Sequence, residues 1–225
     1  MSTRLPSVKN GFVQFFASVQ EAPWYTHFLN LALEELKTLS AGSKVLDVGT
    51  GPGKFIELMQ DSIDLQCIGV DIDEAMLEQA RKRPLLTNVP LVHIKPNQAL
   101  PFEDKSFEAV TFCSVLFLLE NPYDLLNEAI RLLRPGGKII VLTPTGAGSI
   151  RDGLSYLSRR GLNSKTWTFV TWKKATANKA QDWQRAMILS KYARINHVLY
   201  NKRIVFGGYA VVESLCKDLI PILTS

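Results

Sequence analysis

The stretch Val45–Phe55, VLDVGTGPGKF, decides the fold of this chain. Its first four residues are mostly apolar, which is typical of a strand buried on both faces of a sheet. Gly49, Gly51 and Gly53 follow, and residues without a side chain adopt positive φ and let the backbone approach a ligand closely. From Lys54 the sequence resumes apolar positions at helical spacing. The segment therefore predicts a strand, a glycine turn and a helix N-terminus that together hold a ligand.

Two nucleotide-binding patterns compete for this turn, and both are disfavoured. A dinucleotide fingerprint needs a third glycine three residues after the second, where Lys54 stands. A phosphate-binding P-loop needs a lysine followed by Ser or Thr, but Phe55 follows Lys54. The remaining pattern, D-x-G-x-G-x-G with Asp47 two residues before the first glycine, resembles the first motif of class I S-adenosylmethionine-dependent methyltransferases.

A second anchor is the acidic residue that follows the next apolar run. Asp71 closes the segment LQCIGV, 18 residues beyond Gly53. A carboxylate at the end of a second strand can accept hydrogen bonds from both hydroxyls of a ribose. The alternative is a helix cap, but Asp73 is available for that purpose. We therefore expect Asp71 to bind the ribose of an adenosine cofactor.

The stretch Leu100–Gly146 extends the resemblance. Its segments LPFEDKSF and RLLRPGG resemble the small-molecule methyltransferases, similar to the methyltransferase type 11 and quinone-biosynthesis group. Periodicity predicts a strand over 107–115, a helix over 122–133, a stop at Pro135-Gly136-Gly137 and a strand over 138–143. The resemblance covers residues 41–146, with a further match over 180–217.

The resemblance implies an α/β, Rossmann-like fold with a seven-stranded, mostly parallel sheet and helices on both faces. One antiparallel strand is expected from a hairpin formed by 197–205 and 209–216, around Gly207-Gly208. We expect a single methyltransferase domain over 1–225. It would comprise N-terminal lid helices (1–40), a cofactor-binding core (41–146), a basic and aromatic insertion over the pocket (147–179), and a last helix with the hairpin (180–225), the helix running over 181–194.

The implied cofactor is S-adenosyl-L-methionine. The residues that the resemblance places around it are Asp47, Gly49, Thr50, Gly51, Gly53, Asp71, Ile72, Met76, Asn97, Gln98, Ala99, Cys113, Ser114 and Val115. Pro96 stands where relatives carry an Asp that recognises adenine, so that contact passes to the amides of Asn97 or Gln98 or to main chain. Phe117-Leu118 stands where relatives often carry a His, so no general base is offered there.

Two zones outside the motifs suggest the acceptor side. The N-terminal zone is aromatic and predicts a helix over 23–39, and the insertion interleaves basic residues with aromatics against one acidic residue, Asp152. The basic residues are Arg151, Arg159, Arg160, Lys165, Lys173, Lys174 and Lys179. Such a segment suits an acidic or phosphorylated substrate, a lipid headgroup or a nucleic acid, but a solvated lid with aromatics packed beneath it fits equally. The candidates for the substrate pocket are Tyr25, His27, Phe117, Tyr156 and Trp172.

Length and composition limit the classes of protein to which this chain can belong. The chain has 225 residues, 46% of them hydrophobic, a net charge of +5 and three cysteines without metal-binding spacing. No metal site, nucleic-acid motif or transmembrane run is indicated. We therefore expect a cytoplasmic protein, with peripheral membrane contact left open. The sequence does not indicate the oligomeric state.

The expected activity is methyl transfer to a small-molecule or lipid-like acceptor by in-line displacement. A catalytically inactive protein that binds S-adenosylmethionine or S-adenosylhomocysteine, with a regulatory role, is the alternative. A nicotinamide-dependent oxidoreductase is disfavoured by Lys54. The sequence indicates neither the acceptor, the methylated atom nor the catalytic residues.

Overall fold

The computed structural model describes residues 6–159 and 163–217, with side chains from residue 11 onward except residue 12. Arg160 of the insertion and the side chain of Phe12 therefore lie outside the described part. Seven strands form one sheet in the order β3-β2-β1-β4-β5-β7-β6. They are β1 Ser43–Val48, β2 Leu65–Asp71, β3 Leu91–His93, β4 Phe107–Cys113, β5 Leu133–Pro144, β6 Leu199–Val205 and β7 Ala210–Cys216.

The sheet is parallel except at β7, which is antiparallel to both β5 and β6. The predicted seven-stranded sheet, with one antiparallel strand from the terminal hairpin, is confirmed. Eight helices accompany the sheet in the described part of the chain. They are α1 Pro6–Gln20, α2 Pro23–Leu36, α3 Lys54–Ser62, α4 Glu74–Ala80, α5 Tyr123–Leu132, α6 Ile150–Ser158, α7 Trp167–Ala186 and α8 Ile188–Ile195.

Two hydrophobic clusters cover the two faces of the sheet. Neighbouring strand residues alternate between them: Val45 and Ile140 belong to one cluster, and Leu46 and Val141 to the other. These four side chains are fully buried, as expected for strands with helices on both sides. The continuous apolar runs in the sequence are explained by this double burial.

The strand order determines where on the sheet a ligand can bind. The chain runs outward from β1 through β2 to β3, then returns to place β4 on the other side of β1. In open α/β sheets, ligands bind beyond the carboxyl ends of the strands where the order reverses in this way. The glycine turn that follows β1 lies at this point of the sheet.

Several predicted boundaries need correction. The expected helix over 181–194 is two helices, because Met187 takes a left-handed conformation (φ 50) between α7 and α8. The helix α7 also begins well inside the predicted insertion and runs through residues 179 and 180. The fifth strand starts at Leu133, which pairs with Phe107 before an irregularity in the register. Pro135-Gly136-Gly137 therefore lies within β5 instead of before it. Smaller shifts shorten three elements: β4 ends at Cys113, α2 ends at Leu36, and α5 spans Tyr123–Leu132.

Candidate cofactor site

The glycine turn after β1 is built on left-handed backbone. Gly49, Gly51 and Gly53 have φ values of 74, 55 and 81°, a region that other residues enter at a cost. A Cβ atom at Gly49 would stand 2.4 Å from Cγ2 of Val115, which follows β4. The turn is thus packed directly against the end of β4, and any side chain at Gly49 would force the two apart.

Asp71 supports the same turn from the end of β2. Its Oδ2 accepts the backbone N–H of Gly51 at 2.8 Å, and its Oδ1 accepts that of Asp73 at 2.9 Å. Burial raises the pKa of this carboxyl, opposed by these backbone hydrogen bonds. Asp73 caps α4 as expected, since its Oδ1 accepts the N–H of Ala75 at 3.0 Å. Each Asp71 oxygen keeps a lone pair for a further donor.

A cavity of about 430 Å³ opens beside these residues. It is lined by ends of strands, by the segment 94–100 and by α5 with the residues before it. Seven predicted cofactor residues line it: Gly49, Asp71, Ile72, Asn97, Gln98, Ala99 and Val115. Pro96 lines it as well, so the residue that departs from the relatives' pattern lies at the site. The two amides predicted to meet adenine thus share a cavity with the carboxylate predicted to meet ribose.

Next to the cavity lies a buried polar layer. Asp47 is 2% exposed, and its Oδ1 accepts the hydroxyl of Thr111 at 2.7 Å. Burial raises the pKa of Asp47 to about 6, although the Thr111 hydrogen bond opposes the shift. The hydroxyl oxygens of Thr50 and Ser114 are buried and make no hydrogen bond of good geometry among residues 6–159 and 163–217, although Thr50 lies near the Asp47 carboxylate and Ser114 near the Tyr25 hydroxyl. Buried hydroxyls without a good hydrogen bond are costly, so this layer fits a polar ligand that supplies partners.

The remaining predicted cofactor residues do not line the cavity. Gly53 packs on α4, where a Cβ would lie 2.9 Å from that of Ala80. Met76 is buried within α4. Cys113 ends β4, and burial raises the pKa of its thiol well above the usual value. Their predicted contact with a cofactor stays a prediction.

The five substrate-pocket candidates lie elsewhere, and none lines this cavity. Tyr25 and Trp172 are 2% and 4% exposed, packed among aromatic rings. Tyr25 and Trp172 belong to one of the two hydrophobic clusters, and Phe117 is buried in the cluster on the opposite face of the sheet. His27 and Tyr156 are partly buried, and their side chains form a hydrogen bond of 3.2 Å between Nε2 and Oη. The acceptor role of these five residues stays a prediction.

The sequence analysis did not predict the residues in and before α5 that line the cavity. Its polar lining residues are Asn121, Asp124, Asn127 and Glu128. Asn121 lies just before the helix, and its Oδ1 accepts the N–H of Tyr123 at 3.1 Å. Glu128 accepts the N–H of Leu100 at 2.8 Å and thereby ties α5 to the segment with the two amides. The available signal was the polar spacing 124, 127 and 128, which puts three side chains on one helical face.

Known proteins resemble the chain in the same region. Residues 46–141 match the family described as "Methyltransferase domain" (Methyltransf_11). This part of the chain, residues 46–141 of 225, is similar to the domain of that family. The predicted resemblance to class I S-adenosylmethionine-dependent methyltransferases is confirmed over this region, and the match contains the glycine turn, Asp71 and β4.

Curated relatives of this region include two named enzymes. A ubiquinone/menaquinone biosynthesis C-methyltransferase of Desulfotalea psychrophila is 35% identical over 122 residues, which are 53% of this chain and 49% of the relative. The 27-O-demethylrifamycin SV methyltransferase of Amycolatopsis mediterranei is 30% identical over 143 residues, 60% of this chain and 52% of the relative. The chain thus spans about half the length of the curated relatives it matches.

Solved structures share the fold over a longer range. A putative S-adenosylmethionine-dependent methyltransferase from Methanococcus maripaludis superposes with a TM-score of 0.70 at 17% identity, covering 97% of each chain. The plantazolicin methyltransferase BpumL, solved with a substrate analogue and S-adenosylhomocysteine, gives 0.65 at 12% identity, covering 95% of this chain and 92% of that one. The chain outside residues 46–141 therefore shares the fold of these two structures as well.

Two further structural findings concern membrane-spanning helices and metal sites. In residues 6–159 and 163–217, no helix is both long and apolar enough to cross a membrane. Within those same residues, no cluster of three or more His, Cys, Asp and Glu side chains is arranged to hold a metal ion.

Proposed function

We propose that this chain binds S-adenosylmethionine and transfers its methyl group to a small-molecule acceptor. The observation that carries the proposal is the shared cavity: Asp71 and the glycine turn open onto the same space as the amides of Asn97 and Gln98. One end offers carboxylate oxygens for ribose hydroxyls, and the other offers amide oxygens for the amino group of adenine. The volume of about 430 Å³ lies within the range of small-ligand sites.

The residues of the site also fit the rest of the cofactor. Thr50 and Ser114 hold buried hydroxyls that make no hydrogen bond of good geometry in the described part of the chain, next to the buried carboxylate of Asp47. A ligand with an ammonium and a carboxylate can satisfy such groups. When bound, S-adenosylmethionine supplies a methyl group that its positive sulfur already activates. The residues of the cavity would hold the cofactor, and the chemistry it would supply is transfer of that methyl from sulfur to the acceptor with release of S-adenosylhomocysteine.

The chain's own contribution is orientation and exclusion of water. Holding two reactants in line is worth roughly 7 to 11 kcal/mol of the barrier. Rigid anchors suit this task, and the turn is held by Asp71 and by backbone hydrogen bonds from Gly49 and Thr50 to the Val70 carbonyl at 2.8 and 3.1 Å. Phe117 and Leu118 offer no base, so we favour an acceptor that is nucleophilic without one.

The acceptor class rests on the relatives and on the insertion. The relatives' names point to quinone-biosynthesis and demethylrifamycin compounds, which supports a small organic acceptor. The basic side chains of the insertion support an acidic or lipid-like one. We propose that the lid helices, core, insertion and hairpin act as one domain around these two ligands.

Calorimetric titration with S-adenosylhomocysteine tests the proposal. The wild-type chain is expected to bind with micromolar affinity, and Asp71→Ala should weaken binding at least tenfold because a charged acceptor of two hydroxyl donors is lost. Asp73→Ala is the matched control: it removes a carboxylate two residues away that caps α4 and does not line the cavity. This control should bind as the wild type does.

NADH serves as the competing ligand in the same experiment. Binding of NADH in preference to S-adenosylhomocysteine, or no binding of the latter by the wild type, would contradict the proposal. Equal losses in Asp71→Ala and Asp73→Ala would show that the end of β2 acts through folding alone. Product formation with a labelled methyl group and a panel of quinone precursors, acidic phenols and lipids then identifies the acceptor.

A further inference from the structure

Gln20, the last residue of α1, reaches the glycine turn from outside the core motif. Its side chain belongs to a residue that is only 6% exposed, and its Oε1 accepts the backbone N–H of Lys54 at 3.0 Å. Lys54 opens α3, and the residue before it, Gly53, has no side chain with which to cap the helix. The amide of Gln20 therefore caps α3 from a segment 34 residues away.

This hydrogen bond fixes which way the amide points. The Lys54 N–H is a donor, so the atom that meets it must be the carbonyl oxygen, and the other atom is the Nε2 donor. Nε2 faces the turn: a Cβ built at Gly51 would lie 3.5 Å from it. In the part of the chain that the structure describes, no group accepts a hydrogen bond from this Nε2. The Nε2 atom keeps some contact with solvent, since the fully buried side-chain polar atoms that make no hydrogen bond in the described residues are Thr50 Oγ1, Ser114 Oγ and Glu213 Oε2. It can therefore donate to a ligand at the turn.

Arg83 ties the end of α1, next to Gln20, to the glycine turn. The guanidinium donates to Glu21, the neighbour of Gln20, at 2.5 Å and to Glu57 of α3 at 2.8 Å. Its Nε donates to the Pro52 carbonyl of the turn, also at 2.5 Å. The Arg83 side chain is 12% exposed, so these contacts are partly shielded from water. The end of α1 and the turn are thereby bound to the same cation.

We propose that Gln20 is a cofactor-binding residue whose Nε2 donates a hydrogen bond to the carboxylate of bound S-adenosylmethionine. The inference rests on the proposed function. The carboxylate is the acceptor of choice because it is the only anionic group of that cofactor and accepts without donating. It would also lie near the N-terminus of α3, where the helix dipole favours negative charge.

The substitution Gln20→Glu separates ligand binding from capping. The carboxylate keeps an oxygen for the Lys54 N–H but replaces the donor over Gly51 with a negative charge. We expect S-adenosylhomocysteine to bind at least tenfold more weakly in calorimetry. The probe 5′-methylthioadenosine lacks the amino-acid carboxylate, so its affinity should stay within twofold of that of the wild type. Gln14→Glu, the same change at an exposed position of α1, should leave both affinities unchanged.

Two other results would overturn the inference. Equal weakening of both ligands by Gln20→Glu would mean that Gln20 only shapes the turn, and an unchanged affinity for S-adenosylhomocysteine would mean that Nε2 meets no cofactor group. If Gln20→Glu does not fold, Gln20→Met removes both the donor and the capping oxygen without adding charge. Its affinity for S-adenosylhomocysteine should then fall about tenfold more than its affinity for 5′-methylthioadenosine, and equal falls would overturn the inference. A wild type that binds neither ligand would refute the proposed function and this inference with it.

Discussion

Two regions at the carboxyl end of the sheet differ in how their space is used. Beyond β1, β2 and β4, left-handed glycines and polar side chains surround an open cavity of about 430 Å³. On the face where α2 meets the insertion, aromatic rings fill the space instead. Trp172 lies with its ring centroid 5.1 Å from that of Trp24 and 5.3 Å from that of Phe28.

Aromatic residues in a sequence therefore do not show whether a region forms a ligand pocket or packs two segments together. The rings of the insertion fasten it to α2, and Trp24 Nε1 donates to Thr168 Oγ1 at 2.9 Å to complete the contact. Even one of the basic residues is used in this way, because Lys173 is 8% exposed and donates to the Ala147 carbonyl at 2.7 Å. In the open region, by contrast, polar atoms are left for a ligand.

The largest expected effect comes from breaking the filled region. Trp172→Ala should lower the free energy of unfolding by about 3–5 kcal/mol, because a buried aromatic side chain is lost and a cavity remains. The affinity for S-adenosylhomocysteine should stay within twofold when it is measured below the unfolding transition. Urea denaturation and calorimetry measure the two quantities.

Trp167→Ala is the matched control on the same helix, since Trp167 is 56% exposed. It should cost less than about 1 kcal/mol. A folded Trp172→Ala variant with a tenfold weaker affinity would show that the aromatic cluster belongs to the binding region, and the contrast between the two regions would fail.

A second, smaller effect concerns how the stability of the protein depends on pH through Asp47 in the open region. The pKa of Asp47 is raised from 3.8 to about 6 in the fold, so the folded state holds its proton more tightly than the unfolded state does. This group's contribution to stability is therefore full below about pH 4 and is lost as pH rises through about 6. The loss amounts to roughly 3 kcal/mol.

Asp47→Asn removes this titration while keeping an acceptor for Thr111. The difference in unfolding free energy between wild type and variant should fall by about 3 kcal/mol from pH 4 to pH 7. Urea titrations at several pH values measure it. A difference that does not vary with pH would mean that Asp47 is not desolvated as the geometry requires.

The smallest expected effect tests whether α8 supports the open region from outside it. The Tyr192 hydroxyl of α8 donates to Asn127 Oδ1 at 2.8 Å, and Asn127 lines the cavity. Tyr192→Phe should cost about 1 kcal/mol of stability, the usual worth of one hydrogen bond. The affinity for S-adenosylhomocysteine should remain within twofold. A larger change in affinity than in stability would indicate that α8 positions this wall of the cavity.

Much of the fold could be predicted because its signals are local. The apolar runs of the strands, the glycines after β1 and the acidic residue after β2 each report a constraint within a few residues of chain. The boundary errors arose where local signals compete with distant pairing. Met187 carries no glycine or proline signal yet divides two helices, and Leu133 joins β5 because Phe107 is there to pair with it.

The candidate site divides in the same way. Positions in the glycine turn and at the end of β2 were predicted because strand ends and turns have their own residue chemistry. The polar face of α5 and the amide of Gln20 were missed, since nothing near them in sequence marks the cavity. Both act on partners far along the chain: Glu128 on Leu100, and Gln20 on Lys54.

The strand-turn-helix unit, the carboxylate at its edge and the resemblance to methyltransferases could all be found in the sequence, because backbone conformation and burial periodicity follow from neighbouring residues. Tertiary structure alone decided which aromatic side chains close a space and which polar side chains open onto one. Those outcomes depend on packing between segments more than a hundred residues apart, such as Trp24 on Thr168, and no local pattern records which surfaces will meet.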